Sequence, residues 1–309
     1  MSAVQPAPRG ARDLESERIL AGIGLVVLSV GCFAALDTST KLAVTAVPVL
    51  MAIWFRYAFQ AIATTVVLLP RYGTALLRTR HPKYHVLRGG LLLMSSLMAF
   101  LSLRYMPVAE FTSMVLVTPL VITLLASTAL KENVSLLRWA LVAGGFAGTI
   151  VILRPGGQAF GWAMLLPIGL ISSNAWFQLL TSKLAQTENP LTMHFYTGWV
   201  GTLIASCALP FAWAALPSWH WWMLLGLMGL LGTVGHFLLI LAYQRAPAST
   251  LTPYLYAQIA FAMLGGWLLF GQVPDGVSLI GIAMIAVCGA AGAWLTVRER
   301  RLPIEAPES

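Results

Sequence analysis

A chain of 309 residues that is 58% hydrophobic and only 10% charged has too little polar surface to cover a water-soluble globule of its size. The composition therefore predicts a membrane protein and excludes an ordinary soluble domain. The formal net charge of +8 does not indicate nucleic-acid binding, because the basic residues lie between apolar stretches rather than along one amphipathic face.

Ten apolar stretches follow one another along the chain, each close to the roughly 20 residues that a helix needs to cross a bilayer. Short connections join them, so the predicted fold is an all-α polytopic membrane protein. Residues 1–18 and 298–309 are charged and are expected to be mobile extensions of the bundle. The predicted spans are residues 19–42, 47–69, 86–105, 107–129, 135–153, 161–184, 190–212, 220–243, 247–270 and 276–297.

The distribution of lysine and arginine predicts the orientation of these spans. If the N-terminus is cytoplasmic, most basic residues fall in inside segments, among them Arg78, Arg80, Lys83 and Arg88. The outside connections then hold only Arg104 and Arg154. Cytoplasmic loops of membrane proteins carry an excess of basic residues. Both termini are therefore expected in the cytoplasm.

The two halves of the chain follow one plan. Residues around Pro107 recur 140 positions later around Pro247, and a stretch that begins at Lys41 recurs 142 positions later from Lys183. Each half, residues 19–153 and 161–297, contains five predicted spans. Because five is odd, the second half enters the membrane from the opposite side, and the repeats are inverted. Inverted repeats permit two equivalent packings that face opposite sides of the membrane, which is the basis of alternating access.

Several short motifs point to one family. They are Asp37 with Lys41, Phe55-Arg56-Tyr57, Leu87-Arg88-Gly89, Pro107, Pro119, Lys131-Glu132 and Arg154-Pro155-Gly156. Through these motifs the chain resembles the drug/metabolite transporter superfamily, in its branch of bacterial ten-helix proteins with two EamA repeats. The resemblance covers residues 19–297. Gln272 departs from the family pattern, which usually has a glutamate at that position.

The resemblance implies a secondary transporter in the bacterial inner membrane that moves a small polar metabolite by alternating access. Related proteins export amino acids and their derivatives, or carry vitamins, nucleotide-like cofactors and metal-chelating opines. Export of an amino-acid derivative or an opine-type metallophore is the leading prediction, and uptake of riboflavin or another cofactor-like solute is the alternative. A channel or a non-transporting membrane receptor is a third candidate.

The expected partners are the lipid bilayer and a small-molecule substrate, and a homodimer is compatible with the sequence. Neither nucleic acid nor a cofactor is expected as a partner. The chain lacks a nucleotide-binding loop, so the energy for transport is expected to come from a gradient or an exchange. The residues show no metal-ligand spacing and no set of side chains that suits catalysis, so neither a metal site nor an enzyme is predicted.

Charged side chains inside the spans are the first site candidates, since an ionised group in mid-membrane costs roughly 2.5 to 3.5 kcal/mol. Asp37 and Lys41 share one face of span one, and Arg56 lies at comparable depth in span two. In the functional interpretation, Arg56 or Lys41 attracts a carboxylate or phosphate, and Asp37 receives an amine or exchanges a proton. In the alternative, Asp37 and Arg56 pair with each other and fix the two spans together. The equivalent positions in the second half are Leu179 and Gly198, an asymmetry that favours a solute-specific role.

Glu110 and two histidines are further candidates. Glu110 begins span four near Arg104, where a gate, a proton site and a plain salt bridge at the interface are all consistent with the sequence. His194 and His236 could relay protons or bind solute, because histidine titrates near neutral pH. Each stands alone in its span, so a neutral packed histidine is the simpler interpretation.

Neutral polar residues complete the candidate set. In family members the solute cavity is formed largely by spans one, three, four, six, eight and nine. The resemblance therefore favours Asn174, Gln178, Tyr254 and Gln258. Ordinary hydrogen bonds between helices are an equally open interpretation for each of them. Pro119 and Pro253 are expected to break spans four and nine near the cavity.

Overall fold

The computed structural model describes residues 9–105, 111, 115, 117–131, 134–153, 165–216, 218–271 and 275–301. Every regular element in these ranges is a helix. Two short 3-10 turns, Gly73–Leu77 and Leu209–Phe211, follow the second and seventh helices. The α-helices in these ranges are α1 (Arg9–Ala43), α2 (Val49–Tyr72), α3 (Pro82–Tyr105), α4 (Thr118–Ala129), α5 (Leu136–Leu153), α6 (Leu165–Leu184), α7 (Pro190–Ala208), α8 (Trp219–Tyr243), α9 (Ala248–Leu255), α10 (Ala257–Phe270) and α11 (Gly276–Arg301).

These helices agree with the ten predicted spans, with differences at the ends and in span nine. The first helix begins at Arg9 and the last one continues to Arg301, so parts of both charged extensions are helical. Span nine is divided into α9 and α10 at Tyr256. Pro253 lies three residues before this break, and a proline inside a helix removes a backbone hydrogen bond. The predicted break near Pro253 is confirmed.

The bundle exposes apolar side chains and buries charged ones. Leu28, Val66 and Leu268 are 61%, 66% and 68% exposed, whereas Arg56 and Arg88 are 5% and 0% exposed. A soluble protein of this size shows the reverse. Four helical stretches in the described ranges are long and apolar enough to cross a membrane by length and composition, namely Leu14–Ala43, Val49–Leu77, Pro82–Tyr105 and Trp219–Tyr243. Shorter apolar helices are Thr118–Ala129, Leu136–Gly148 and Leu279–Gly292.

Helix packing follows a pseudo-twofold relation between the halves. α1 packs on α8, and its counterpart α6 packs on α3. α2 packs on α7 and α5 packs on α11, so each of these contacts joins a helix to its own counterpart. α1 also contacts α10, as α6 contacts α4. The contact pattern is preserved when the halves are exchanged, which is the two-repeat architecture predicted from the sequence.

Contacts between helix termini distinguish the two ends of the bundle. At the lower end, as we call it, Arg18 near the start of α1 donates a hydrogen bond to the carbonyl oxygen of Gln244 just after α8 (2.5 Å). At the upper end, Nζ of Lys41 in α1 donates to the carbonyl oxygen of Leu103 in α3 (3.0 Å). The start of α1 and the end of α8 therefore lie at the lower end. The ends of α1 and α3 lie at the upper end.

Glycine permits the close approach of α2 and α7. A Cβ atom on Gly201 would lie 2.2 Å from Cδ1 of Tyr57, and one on Gly198 would lie 2.9 Å from the amide nitrogen of Ala61. Small residues of this kind let helix backbones pack closely in a membrane. The contact fixes α2, the helix that carries Arg56, against the second half.

Candidate functional site

A cavity of about 310 Å³ lies between helices of both halves. Its lining comes from α1, α3, α4, α6, α8, α9 and α10, with Arg56 contributed by α2. The cavity reaches from Val30 and His236, in the middle of their helices, to Lys41 and Leu103 at the upper end. It is therefore built at the interface between the two halves.

Most of the residues selected from the sequence line this cavity. Tyr254 is not part of the lining: its side chain is buried, and its hydroxyl has no hydrogen-bond partner in the described part of the chain. Glu110 lies outside the described residues. The candidates that the cavity brings together are Asp37, Lys41, Arg56, Asn174, Gln178, His236 and Gln258.

Asp37 is the one carboxylate among the described lining residues. Nε2 of Gln258 in α10 donates a hydrogen bond to its Oδ2 at 2.8 Å. Lys41, one turn later in α1, donates instead to the carbonyl oxygen of Leu103. The carboxylate of Asp37 therefore has a neutral partner from the second half of the chain.

Arg56 also has a partner from the second half. One guanidinium nitrogen donates to Oγ of Ser96, and the other lies 2.8 Å from Nε2 of His236. Because a guanidinium cannot accept a hydrogen bond, Nε2 of His236 is assigned as the acceptor and the ring is assigned as neutral. Gly232 makes room for this contact, since a Cβ atom there would lie 2.7 Å from Nε of Arg56.

Asp37 and Arg56 face one cavity without forming an ion pair with each other. In the described structure, no nitrogen of Arg56 lies within 4.0 Å of a carboxylate oxygen of Asp37. The structural pairing of Asp37 with Arg56 that the sequence left open is thus not made. Each charge keeps only neutral hydrogen-bond partners.

A chain of hydrogen bonds runs from the cavity towards the lower end. Nδ2 of Asn174 donates to Oγ of Ser95 at 3.2 Å, and Nε2 of Gln178 donates to Oδ1 of Asn174 at 2.6 Å. The hydroxyl of Tyr243, at the end of α8, donates to Oε1 of Gln178 at 2.6 Å. Sequence reasoning missed Tyr243, because an aromatic residue at the end of an apolar span is ordinarily an interface residue.

An aromatic cluster forms one wall beside Arg56. The ring of His236 lies 4.6 Å from that of Phe33 and 5.6 Å from that of Phe177, measured between centroids. Behind Phe177, the guanidinium of Arg88 lies 4.8 Å from the ring centroid. The charge distribution assigned Arg88 to the cytoplasmic boundary, but it is fully buried and donates hydrogen bonds to α6 and α7. Arg88 therefore supports the cavity wall from outside the cavity.

The remaining candidate histidine, His194, does not contribute to the cavity. His194 is buried and contacts the side-chain amide of Gln60, and it does not line the cavity. The described residues contain no group of three or more His, Cys, Asp and Glu side chains that could hold a metal ion.

The cavity is chemically suited to a solute of mixed charge. Lys41 and Arg56 supply positively charged groups and Asp37 supplies a carboxyl group, and the histidine beside Arg56 is assigned as neutral. Arg56 is 5% exposed, and its guanidinium lacks a contacting carboxylate in the described structure. Buried charges are normally paired. A solute carboxylate would complete the environment of Arg56.

Comparison with known proteins identifies the family. The model of the EamA-like transporter family matches residues 20–154 and again residues 161–295. The chain belongs to the EamA-like transporter family. The two successive matches agree with the two-repeat architecture of the bundle. A crystal structure whose chain is 22% identical has the same fold, with a TM-score of 0.73 and coverage of 92% of this chain and 98% of that one.

Three relatives illustrate the range of the family. A riboflavin transporter of Rhizobium johnstonii is 32% identical over 279 residues, which are 88% of this chain and 90% of that protein. An S-adenosylmethionine uptake transporter of Rickettsia bellii is 29% identical over 85% of this chain and 90% of its own length. A pseudopaline exporter of Pseudomonas aeruginosa is 25% identical over 86% of this chain and 93% of its own length. The EamA-like chain is thus a small-molecule membrane transporter.

Proposed function

We propose that this chain is a secondary transporter for an amino-acid derivative, with Arg56 binding the solute carboxylate and Asp37 binding its ammonium group. The observation that carries the proposal is that no carboxylate of the described residues lies within 4.0 Å of the Arg56 guanidinium. The hydrogen bonds of Arg56 to Ser96 and His236 hold the guanidinium beside the cavity, and both of these partners are neutral. A carboxylate there would gain charge-assisted hydrogen bonds, which are the strongest ones in a buried site.

Asp37 supplies the opposite charge on the same wall. Gln258 occupies Oδ2, and the carboxylate has a second oxygen with which to accept from an ammonium group. Because Asp37 and Arg56 are not paired with each other, a zwitterion can bind between them without first breaking a salt bridge.

The rest of the cavity suits the remaining part of such a solute. The rings of Phe33, Phe177 and His236 offer apolar and aromatic surface, and the amides of Asn174 and Gln178 offer hydrogen bonds. S-adenosylmethionine, for which the Rickettsia bellii relative is named, is an amino-acid derivative with a heteroaromatic ring. It is therefore a suitable first probe.

Riboflavin is the second candidate solute, because a relative named as a riboflavin transporter is 32% identical to this chain. The aromatic cluster would suit its flat ring system. Riboflavin is uncharged at neutral pH, however, so it leaves the charge of Arg56 without a counterion. An opine with several carboxylates, the other class favoured by the resemblance, would satisfy Arg56 and Lys41 together.

Orientation and direction complete the proposal. Basic residues gather at the lower end of the bundle, including Arg18, Lys183 and Arg245. This gathering supports a cytoplasmic lower end, with both termini in the cytoplasm of a bacterium and the chain in the inner membrane. Export, which the family resemblance favours, stays a prediction, because the relatives include both an uptake transporter and an exporter.

Counterflow in reconstituted vesicles tests the proposal. Vesicles loaded with unlabelled S-adenosylmethionine, riboflavin or an opine are diluted into the same labelled solute. We expect saturable counterflow of the amino-acid derivative and its loss in an Arg56→Gln, Asp37→Asn double variant. Arg71→Gln, which changes an exposed arginine of α2, is the matched control. Unsaturable flux would indicate a channel, and counterflow of riboflavin alone would favour the second candidate.

A further inference from the structure

The described lining of the cavity contains four side-chain hydroxyl groups, and three of them have hydrogen-bond partners. Those of Thr38 and Ser96 donate to carbonyl oxygens one turn earlier in their own helices, each at 2.8 Å. That of Ser95 accepts from an amide of α6. The fourth belongs to Thr118, which is only 6% exposed, and it has no hydrogen-bond partner in the described part of the chain.

The position of Thr118 at the start of α4 explains why its hydroxyl lacks a partner. A buried threonine in a helix often donates to the carbonyl oxygen four residues earlier, as Thr123 does to that of Pro119 at 2.9 Å. Thr118 is the first residue of α4, so no earlier turn of that helix precedes it. Pro119 follows, and a proline has no N–H to donate to the carbonyl of Val115, which also lines the cavity. The hydroxyl of Thr118 is therefore left without the internal hydrogen bond that Thr123 makes.

Thr118 lies on a different wall of the cavity from the charged side chains. α4 packs on α6 and α9, whereas α1 packs on α8 and α10, and α2 packs on α7 and α8. Asp37 belongs to α1 and Arg56 to α2. A solute whose charged end is held by Asp37 and Arg56 can therefore reach Thr118 with its other end.

The side chain of Thr118 can turn towards a solute without losing an internal contact. Rotation about χ1 exchanges the hydroxyl and the methyl group of a threonine, and both arrangements are populated in helices. Because the hydroxyl has no partner in the described structure, this rotation breaks no hydrogen bond. A hydroxyl both donates and accepts, so it suits a hydroxyl, a carbonyl or a ring nitrogen of the solute.

We propose that Thr118 forms a second subsite of the cavity, which binds an uncharged hydrogen-bonding group at the far end of the solute. The inference rests on the proposed function, because the charged end held at Asp37 and Arg56 directs the rest of the solute towards α4. A buried hydroxyl whose partner is supplied by the solute disfavours solutes that lack such a group. The subsite therefore selects amino-acid derivatives with a polar far end over simple amino acids.

Two ligands that share one end measure this selection. S-adenosylmethionine and methionine both carry the ammonium and carboxylate groups, but only the first has hydroxyl groups and ring nitrogens at its far end. The dissociation constant of each is measured by calorimetric titration of the purified parent protein and of Thr118→Val, which replaces the hydroxyl by a methyl group. We expect Thr118→Val to bind S-adenosylmethionine about fivefold more weakly, the factor of one neutral hydrogen bond, and methionine equally well. Thr118→Ser keeps the hydroxyl and should behave like the parent.

Thermal melting without solute and a control on the same helix make the test specific. Because the hydroxyl has no partner within the described structure, Thr118→Val should melt at or above the temperature of the parent protein. Thr123→Val is the matched control, since Thr123 is also buried in α4 but donates within the helix and does not line the cavity. It should leave both dissociation constants unchanged.

The outcomes separate the subsite from the proposed function. If the parent protein binds neither ligand, the proposed function fails, and the subsite fails with it. If the parent binds S-adenosylmethionine but folded Thr118→Val binds both ligands as the parent does, or weakens both equally, the subsite alone is overturned. A melting temperature that is lowered in Thr118→Val but not in Thr118→Ser would also overturn it, since the hydroxyl would then have a partner inside the protein. If Thr118→Val does not fold, Thr118→Ala removes the same hydroxyl and carries the binding test.

Discussion

The first half of the chain supplies every charged side chain in the described lining of the cavity, whereas the second half supplies neutral donors and acceptors. Asp37, Lys41 and Arg56 belong to the first half. Their counterparts are not charged at the two positions that matter most, since Leu179 replaces Asp37 and Gly198 replaces Arg56. The repeats therefore share an architecture and divide the chemistry between them.

Asp37 and Arg56 each form a hydrogen bond to a neutral residue of the second half. Asp37 in α1 is held by Gln258 in α10, and Arg56 in α2 is held by His236 in α8. If the proposed transport proceeds by relative motion of the halves, these contacts change with that motion. Alternating access requires such a change, because binding must differ between the two packings.

The largest expected effect comes from removing the cation. We expect Arg56→Gln to lower counterflow of an amino-acid derivative by about a hundredfold, because charged hydrogen bonds in a buried site are strong. Arg56→Lys should recover only part of the activity, since an ammonium cannot reproduce the fork of the guanidinium. The readout is initial counterflow rate per folded protein. A wild-type rate in folded Arg56→Gln would remove Arg56 from the site.

Removing the anion should have a smaller effect. We expect Asp37→Asn to weaken the binding of solutes that carry a free ammonium group by about tenfold, the size of one charge-assisted hydrogen bond. Solutes whose amine is acylated should bind the variant and the parent protein equally. Competition against labelled solute measures both. Asp275→Asn, which changes an exposed aspartate, is the matched control. Equal weakening of acylated and free amines would contradict the assigned role.

Replacing a neutral hydrogen-bond partner in the second half should impair counterflow less than replacing Arg56 or Asp37. We expect His236→Leu to raise the concentration for half-maximal counterflow by about fivefold, since Arg56 loses one hydrogen bond and its fixed position. His236→Gln restores an acceptor and should behave like the parent protein. If His236→Gln is as impaired as His236→Leu, the imidazole has a role beyond accepting from Arg56.

The contact between α2 and α7 should affect stability and leave the chemistry almost unchanged. Gly201→Ala would place a Cβ atom 2.2 Å from the ring of the buried Tyr57. Overpacking of this kind costs about 1–3 kcal/mol, so we expect a lower melting temperature in detergent. Counterflow per folded molecule should stay close to that of the parent. Gly226→Ala, whose Cβ atom would have no neighbour within 4 Å, is the control that should melt normally.

The sequence predicted the elements well, because apolar length and charge bias act locally. The spans and the break near Pro253 follow from such local patterns, whereas the two repeats follow from residues that recur 140 or 142 positions apart. The pairing of Asp37 with Gln258 joins residues 221 positions apart, and no local pattern indicates it. Gly232 was only a weak indication in the sequence that a large side chain packs against span eight. In the structure, this glycine makes room for the guanidinium of Arg56.

Burial of polar residues near span ends was harder to predict. Arg88 lies close to the lower end of its span, where a basic residue ordinarily marks the membrane boundary. It is buried because its guanidinium donates hydrogen bonds to two helices of the other half. The acceptors are the hydroxyl of Thr181 and the carbonyl oxygen of Met193. Tyr243 was missed for the same reason. Such residues are recognised only when the packing of the halves is known.

Competition by matched analogues tests most directly whether the first half binds the charges of the solute. S-adenosylmethionine and its carboxylate methyl ester are compared as competitors of counterflow in the parent protein and in Arg56→Gln. We expect the free acid to compete at least about tenfold better than the ester in the parent, the factor that corresponds to one charge-assisted hydrogen bond, and equally well in the variant. Equal competition by acid and ester in the parent protein would contradict a carboxylate site at Arg56.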